Sequence, residues 1–263
     1  MRKYIKKLAV LFFLIATLSS FAGLMFSSEP PQNYTGATGV YCTNCHAGNS
    51  LNSSGGSVNV TGLPATEYTA GAIYNFSLTT SHSAADRRRF GFSIAARNSL
   101  GQAVGSFSST NANAALNGNE LSHFNAPLAP LSNLQNYTYN NLTWTAPANP
   151  TSADATVTFY YAANAANGSG SAGDFIYAGT KTITLLAVQT FTFTGSGNWS
   201  NPANWSNNAI PPSVVTGSNV SIVIDPPLNG ECVLDVPLTI SNSASLIVKD
   251  GKKFRVLSSI TVK

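Results

Sequence analysis

Charge is what this 263-residue sequence has least of: 9% of its residues are Asp, Glu, Lys or Arg, against roughly 25% in an average soluble domain. Methionine is also scarce, with two residues, and cysteine and histidine contribute three each. Three cysteines cannot build a disulfide framework. Two methionines at positions 1 and 25 leave almost no thioether to ligate a metal. Basic surplus is absent too, once the N-terminus is set aside. Arg2, Lys3, Lys6 and Lys7 account for four of the 14 basic residues, and the remaining ten match ten acidic ones. A chain so balanced is not expected to bind nucleic acid. There is no G-x-S-x-G, no H-E-x-x-H and no Gly-rich phosphate loop after a strand, so no enzyme is expected.

What is present begins with a leader. MRKYIKK is followed by LAVLFFLIATLSSFAGLMF, a basic n-region before an apolar run. Small residues at Ser20 and Ala22 fit cleavage before Gly23. The expectation is a signal peptide over 1–22 and an exported protein in the periplasm, at the cell surface or secreted. It would touch a membrane only through the N-terminal segment if that segment is uncleaved.

Residues 23–56 read as a linker carrying one dense motif. From Ser57 apolar residues alternate with polar ones, as in IYNFSLTT, RFGFSIAAR and ATVTFYYAA, and turn-forming clusters separate the runs. A period of two without helical periodicity predicts an antiparallel β-sandwich over 57–188. Residues 111–136 read as long loops. Residues 189–263 begin with GSGNWSNPANW and continue in short apolar runs about eight residues apart. These predict a small C-terminal β-meander or a β-solenoid-like module. A solenoid ending at Lys263 would leave its last rung uncovered, which points to truncation or to an edge that pairs with something else.

The motif is GVYCTNCHAGNS, in which Cys42, Cys45 and His46 form C-x-x-C-H. Two cysteines at this spacing suit thioether bonds to the two haem vinyl groups, and the following histidine suits the proximal iron position. One covalent haem c is therefore expected. The competing reading is a Cys42–Cys45 disulfide staple in a structural or adhesive surface module. The span before the first strand is too short for a cytochrome domain, so any haem must lie against the sandwich or stay exposed. The sixth iron ligand falls to His123, in ELSHFNAP, or to His82, in TTSHSAAD. An open or water-bound position is the further option.

Other residues have ordinary readings. Asp174 in SAGDF is a turn acid. Arg87, Arg88 and Arg89 are a solvated strand start, and Cys232 is a small buried hydrophobe. Trp199 and Trp205 are a buried anchoring pair or, alternatively, a platform for stacking on a carbohydrate.

Taken together, TGATGVYCTNCHAG, YNFSLTTSH, RFGFSIAAR, LTWTAPA and VTFYYAANAANGSGSAGDFIY resemble secreted Bacteroidota proteins of the choice-of-anchor (type V), Reeler-like class. The resemblance covers residues 35 to about 188. It implies an immunoglobulin-like (Reeler-like) sandwich preceded by a haem-binding C-x-x-C-H at Cys42, Cys45 and His46. His123 resembles a histidine often found after the irregular loop of that family. The chain departs from the family in showing no C-terminal sorting segment. The function these features predict is electron transfer or a haem-linked role at the cell envelope, with a redox partner or surface ligand the sequence does not name.

Overall fold

The computed structural model describes residues 28–126, 135–216, 219–241 and 244–263. The expected signal peptide lies outside the described residues. The chain divides into two compact units, 1–185 and 186–263.

Ten strands build the first unit: β1 (Gly56–Thr61), β2 (Glu67–Tyr68), β3 (Ile73–His82), β4 (Arg89–Asn98), β5 (Ser106–Ser109), β6 (Ala114–Asn117), β7 (Glu120–His123), β8 (Asn136–Thr145), β9 (Thr156–Ala166) and β10 (Phe175–Leu185). They form a four-stranded sheet, β1-β3-β8-β5, and a six-stranded sheet, β2-β10-β9-β4-β7-β6. All pairs are antiparallel except β2 with β10. This is the sandwich the period-two pattern predicts.

Strand alternation sends Phe92, Ile94, Ala96, Phe159 and Ala163 into the space between the sheets, where they meet Phe76, Leu78, Tyr139, Leu142 and Trp144. Trp144 packs edge-on against Phe159 with ring centroids 4.9 Å apart. Its indole N–H donates to the Val104 carbonyl at 3.2 Å, so the one polar group of this buried side chain is paired.

The same alternation sends Arg89, Gly91, Asn164, Ala162 and Ala166 to the opposite face of the six-stranded sheet. That face is not open to solvent where the N-terminal segment crosses it. Cys42 and Leu51 pack on Ala162, Ile176 and Ala178. This second layer explains why 162–166 of β9 is buried on both faces.

Two readings from sequence are revised here. Residues 28–34 are docked, not a free linker: the Asn125 N–H donates to Ser28 O, Asn117 Nδ2 to Pro30 O, and the Asn33 N–H to Glu120 Oε2. Residues 111–126 are not simply loop but hold the β6–β7 hairpin, closed by a two-residue turn in which Gly118 takes φ +61. Polar Asn- and Ser-rich composition hid the short strands.

The second unit contains β11 (Gln189–Phe193), β12 (Gly197–Asn198), β13 (Val214–Thr216), β14 (Val220–Ile224), β15 (Glu231–Leu234), β16 (Leu238–Ser241), β17 (Ser245–Val248), β18 (Lys253–Val256) and β19 (Ile260–Val262). They pair in three parallel ladders, β11-β14-β17, β12-β15-β18 and β13-β16-β19. Parallel pairing excludes a meander, in which neighbours run antiparallel. The unit is a three-sided solenoid, each coil laying one strand on each side. Its core stacks Phe193, Ile222, Ile224, Cys232, Leu234, Leu238 and Ile240. Cys232 is the small buried hydrophobe its sequence context predicts, and burial pushes its thiol up to about 12.

Candidate functional site

The C-x-x-C-H segment forms a tight 3₁₀ turn over Cys42–Asn44. The N–H groups of both Cys45 and His46 donate to the Cys42 carbonyl, at 3.1 and 2.9 Å. Immediately after it, Ala47 bridges in parallel with Ala172: its N–H donates to Ser171 O at 3.0 Å, and the Gly173 N–H donates back to Ala47 O at 2.8 Å. The motif is thus fastened to the 167–174 loop between β9 and β10.

That fastening places Asp174 against His46. Asp174 Oδ2 lies 2.7 Å from His46 Nδ1, and the carboxylate is fully buried while the imidazole is 31% exposed. Asp174 Oδ1 accepts from the Asn167 N–H at 3.0 Å. Asp174 therefore closes its loop as a turn acid would and also orients the motif histidine, a role its sequence context did not suggest. Asn164, on β9, lies with Nδ2 3.1 Å from His46 Nδ1 and 3.4 Å from Nε2. Because Nδ1 donates to Asp174 it has no lone pair for that amide, and Asn164 Nδ2 has His46 Nε2 and Asp174 Oδ2 as acceptors, each at 3.4 Å. Asn164 Oδ1 is buried without a partner among the described residues.

His123 ends β7. Its Nδ1 lies 3.0 Å from the Phe92 N and 3.1 Å from the Phe92 O, just past the last β4–β7 pair, Ser93 with Ser122. The imidazole thus stands in for the next backbone partner along the β4 edge. Burial pushes His123 down to about 4; its bond to Phe92 opposes this and the neighbouring His46 adds to it. Gly91 makes room for the ring, since a Cβ there would lie 2.7 Å from His123 Cε1.

One cavity of about 760 Å³ brings these groups together. Cys42, Cys45, His46, His123, Asn164, Asp174, Arg89 and Gly91 line it, with Pro30, Pro31, Tyr34 and Ala166 among its less polar walls. Its size falls within the roughly 300–1,000 Å³ of small-molecule and cofactor sites. Cys42 is buried, with Sγ 3.8 Å from the Tyr34 carbonyl, and burial pushes its thiol up to about 12. Cys45 is exposed, and both thiols are free. The cavity-lining residues do not include His82. Its ring is buried beside Phe175, centroids 4.1 Å apart, and Nδ1 accepts from the Ala84 N–H at 3.0 Å.

These residues fit a haem. Two thiols and two imidazoles face one volume. Each imidazole engages Nδ1, with Asp174 or with the Phe92 backbone, as metal-bound histidines do when Nε2 is the ligand atom. Among the described residues no group of three or more His, Cys, Asp or Glu is gathered as a metal site, but a haem iron takes only axial ligands from the protein. Cys42, Cys45, His46 and His123 are the residues that would hold the group, and bound there it would supply one-electron chemistry.

One further sequence reading is corrected, and the tryptophan pair proves to be the buried anchor its context predicts. The arginine run is not uniformly solvated. Arg87 is buried, paired with Asp86 at 2.5 Å, donates to Gly173 O at 2.8 Å, and lies over the Phe175 ring. The tryptophans offer no sugar platform: Trp199 and Trp205 are 1% and 2% exposed, packed edge-on at 4.6 Å. The Trp205 indole N–H donates to the Trp199 carbonyl at 2.7 Å, which uses its polar end internally.

No family model and no curated protein matches the sequence. Among solved structures the chain is similar to the reeler domain of human F-spondin, at 15% identity over 53% of this chain and 96% of that one, with a TM-score of 0.34. It is similar also to a cohesin module of a Clostridium perfringens family 33 glycoside hydrolase, at 10% identity over 51% and 98%, TM-score 0.32. A DUF4466 family protein from Parabacteroides merdae matches at 14% identity over 49% and 43%, TM-score 0.30. Among the described residues no helix is long and apolar enough to cross a membrane.

Proposed function

We propose that the chain is an exported haem c protein of the cell envelope, in which a β-sandwich carries the cofactor on the outer face of its larger sheet. The observation that supports this best is the convergence of Cys42, Cys45, His46 and His123 on one cavity, although His123 is 77 residues beyond the motif in sequence. A haem in that position supplies one-electron chemistry at a potential set by its axial ligands and surroundings. The protein's part is to hold it. Asp174 orients His46, the Phe92 backbone holds His123, and Pro30, Pro31 and Tyr34 of the docked 28–34 segment supply one wall of the cavity. No general acid, base or nucleophile is needed for such a role, and electron transfer to a partner at the envelope is the reading proposed.

A second reading is an exported structural module in which Cys42 and Cys45 are joined as a staple. The scaffold is compatible with it, because among the described residues both units are built of β-strands, each around its own core. Intact-mass measurement separates the two on chain purified from a host with haem-maturation machinery. A gain of roughly 616 Da and a Soret band that survives acid-acetone extraction are expected for haem. A loss of about 2 Da with no band would mark the disulfide and overturn the haem reading.

A further inference from the structure

The cavity is lined by one arginine, Arg89, that no carboxylate pairs with among the described residues. Arg89 opens β4 on the same face as Gly91, paired across the sheet with Ala166, and it lines the cavity while remaining exposed. Arg87, Arg97 and Arg255 each bond a carboxylate, at 2.5, 3.0 and 3.0 Å. Among the described residues Arg89 has no such partner. The carboxylate nearest in the lining, Asp174, is already committed to His46 and Asn167. Asp86 is bound to Arg87. The rim therefore offers a guanidinium whose fork of donors has no partner among the described residues, beside the apolar side chains of Pro30, Pro31 and Ala166.

We propose that Arg89 is a positioning residue that binds a peripheral carboxylate of the cavity's ligand, which, resting on the haem reading above, is a haem propionate. An apolar planar ring with an acidic edge matches apolar walls with one cationic rim, and guanidinium–carboxylate pairs are both strong and directional. The pair would fix which edge of the ring faces the rim. It would also hold a positive charge close to the iron, where it favours the reduced form.

The test uses the haem-loaded full chain and reads midpoint potential against pH for wild type, Arg89→Gln, Arg89→Lys and Arg88→Gln. Arg88 is the exposed neighbour that does not line the cavity, so it controls for general charge. Arg89→Gln is expected to lower the potential and to move its pH-dependent step upward, as an unpaired propionate becomes a weaker acid. Arg89→Lys should stay near wild type and Arg88→Gln should match it. An unchanged potential in Arg89→Gln overturns the proposal, as do equal shifts in Arg88→Gln and Arg89→Gln. Wild-type protein without covalent haem overturns both this assignment and the function it rests on, whereas haem present with an indifferent Arg89 removes this assignment alone. Because the Arg89 side chain is exposed and makes no hydrogen bond or ion pair among the described residues, its variants should melt as wild type does, which a thermal scan checks.

Discussion

His46 Nδ1 sits 2.7 Å from the buried carboxylate of Asp174, a residue 128 positions away in the chain. The contact joins the Cys42–Asn44 turn to the loop before β10. It settles which ring nitrogen carries the proton, because an ionised carboxylate only accepts. Nε2 is left for the cavity. Replacing Asp174 with Ala removes this bond and the one to the Asn167 N–H, so a loss of about 1–3 kcal/mol in unfolding free energy is expected. Asp174→Asn should lose less, as it retains an acceptor for Nδ1–H. Denaturant titration of the haem-free chain measures both.

The three thiols differ in reactivity for a structural reason. Burial pushes Cys42 and Cys232 up to about 12, so at pH 8 only about one in ten thousand of either is thiolate. Cys45 is exposed. In haem-free folded protein, iodoacetamide should label Cys45 first, and Cys42 and Cys232 only after denaturant is added. Peptide mapping by mass spectrometry reads the order. Rapid labelling of Cys42 in the native state would contradict its packing against Ala162 and Ile176.

Acid should weaken the sandwich through His82. Its pKa is lowered, first by burial and then by the Arg87 charge, with Asp86 opposing. Nε2 is buried and has no partner among the described residues, so a proton added to the ring finds none. The unfolded chain, with His near 6.5, then binds more protons than the folded one below that pH. Stability from the neutral ring is complete above about pH 6.5 and declines as pH falls toward the folded pKa. Unfolding curves at pH 7, 6 and 5 should show this decline, and His82→Gln should flatten it. The slope that remains belongs in part to His123, which burial also holds neutral.

How legible this was in the sequence depended on whether a property was local. Alternation in RFGFSIAAR and ATVTFYYAA placed the sandwich strands because period two is written within each strand. The solenoid strands were visible but their partners were not: a run such as LIV at 246–248 reads alike in a meander and in a coil, and only the parallel pairing with Val220–Ile224 decides. The C-x-x-C-H was local as well. Asp174 and Asn164 were not, since their meaning comes from β9 and β10 meeting the N-terminal segment. One trace existed in AANAA, where a lone amide sits among alanines in a strand buried on both sides. His123 was singled out as a loop residue; it is instead the last residue of a short strand that Asn-rich flanks concealed.

The C-terminal unit should depend on its tryptophan pair and not bind sugar through it. Trp205 is packed edge-on to both Trp199 and Phe193, at 4.6 and 5.3 Å. Trp205→Ala leaves a large cavity and one unclaimed carbonyl, at a cost of about 3–5 kcal/mol. Since the two units have separate cores, tryptophan fluorescence should report loss of the solenoid while Trp144 retains its native environment. A glycan array should show no binding that Trp199→Ala or Trp205→Ala abolishes.

Gly91 offers the sharpest test of whether His123 serves the cavity. A Cβ at this position would lie 2.7 Å from His123 Cε1 and 2.8 Å from Nδ1, closer than real contacts allow, so the ring must leave its bonds to Phe92. The rest of the strand can accept alanine, because Gly91 has no positive φ and its neighbour across β9 is Asn164. Gly91→Ala should therefore cost only about 1–3 kcal/mol of stability. In haem-loaded protein it should abolish the low-spin bis-histidine spectrum, leaving a high-spin form that binds added imidazole. His123→Ala should give that same form. If Gly91→Ala shifts the ring by nuclear magnetic resonance in the haem-free chain but leaves the loaded spectrum untouched, His123 is not an axial ligand.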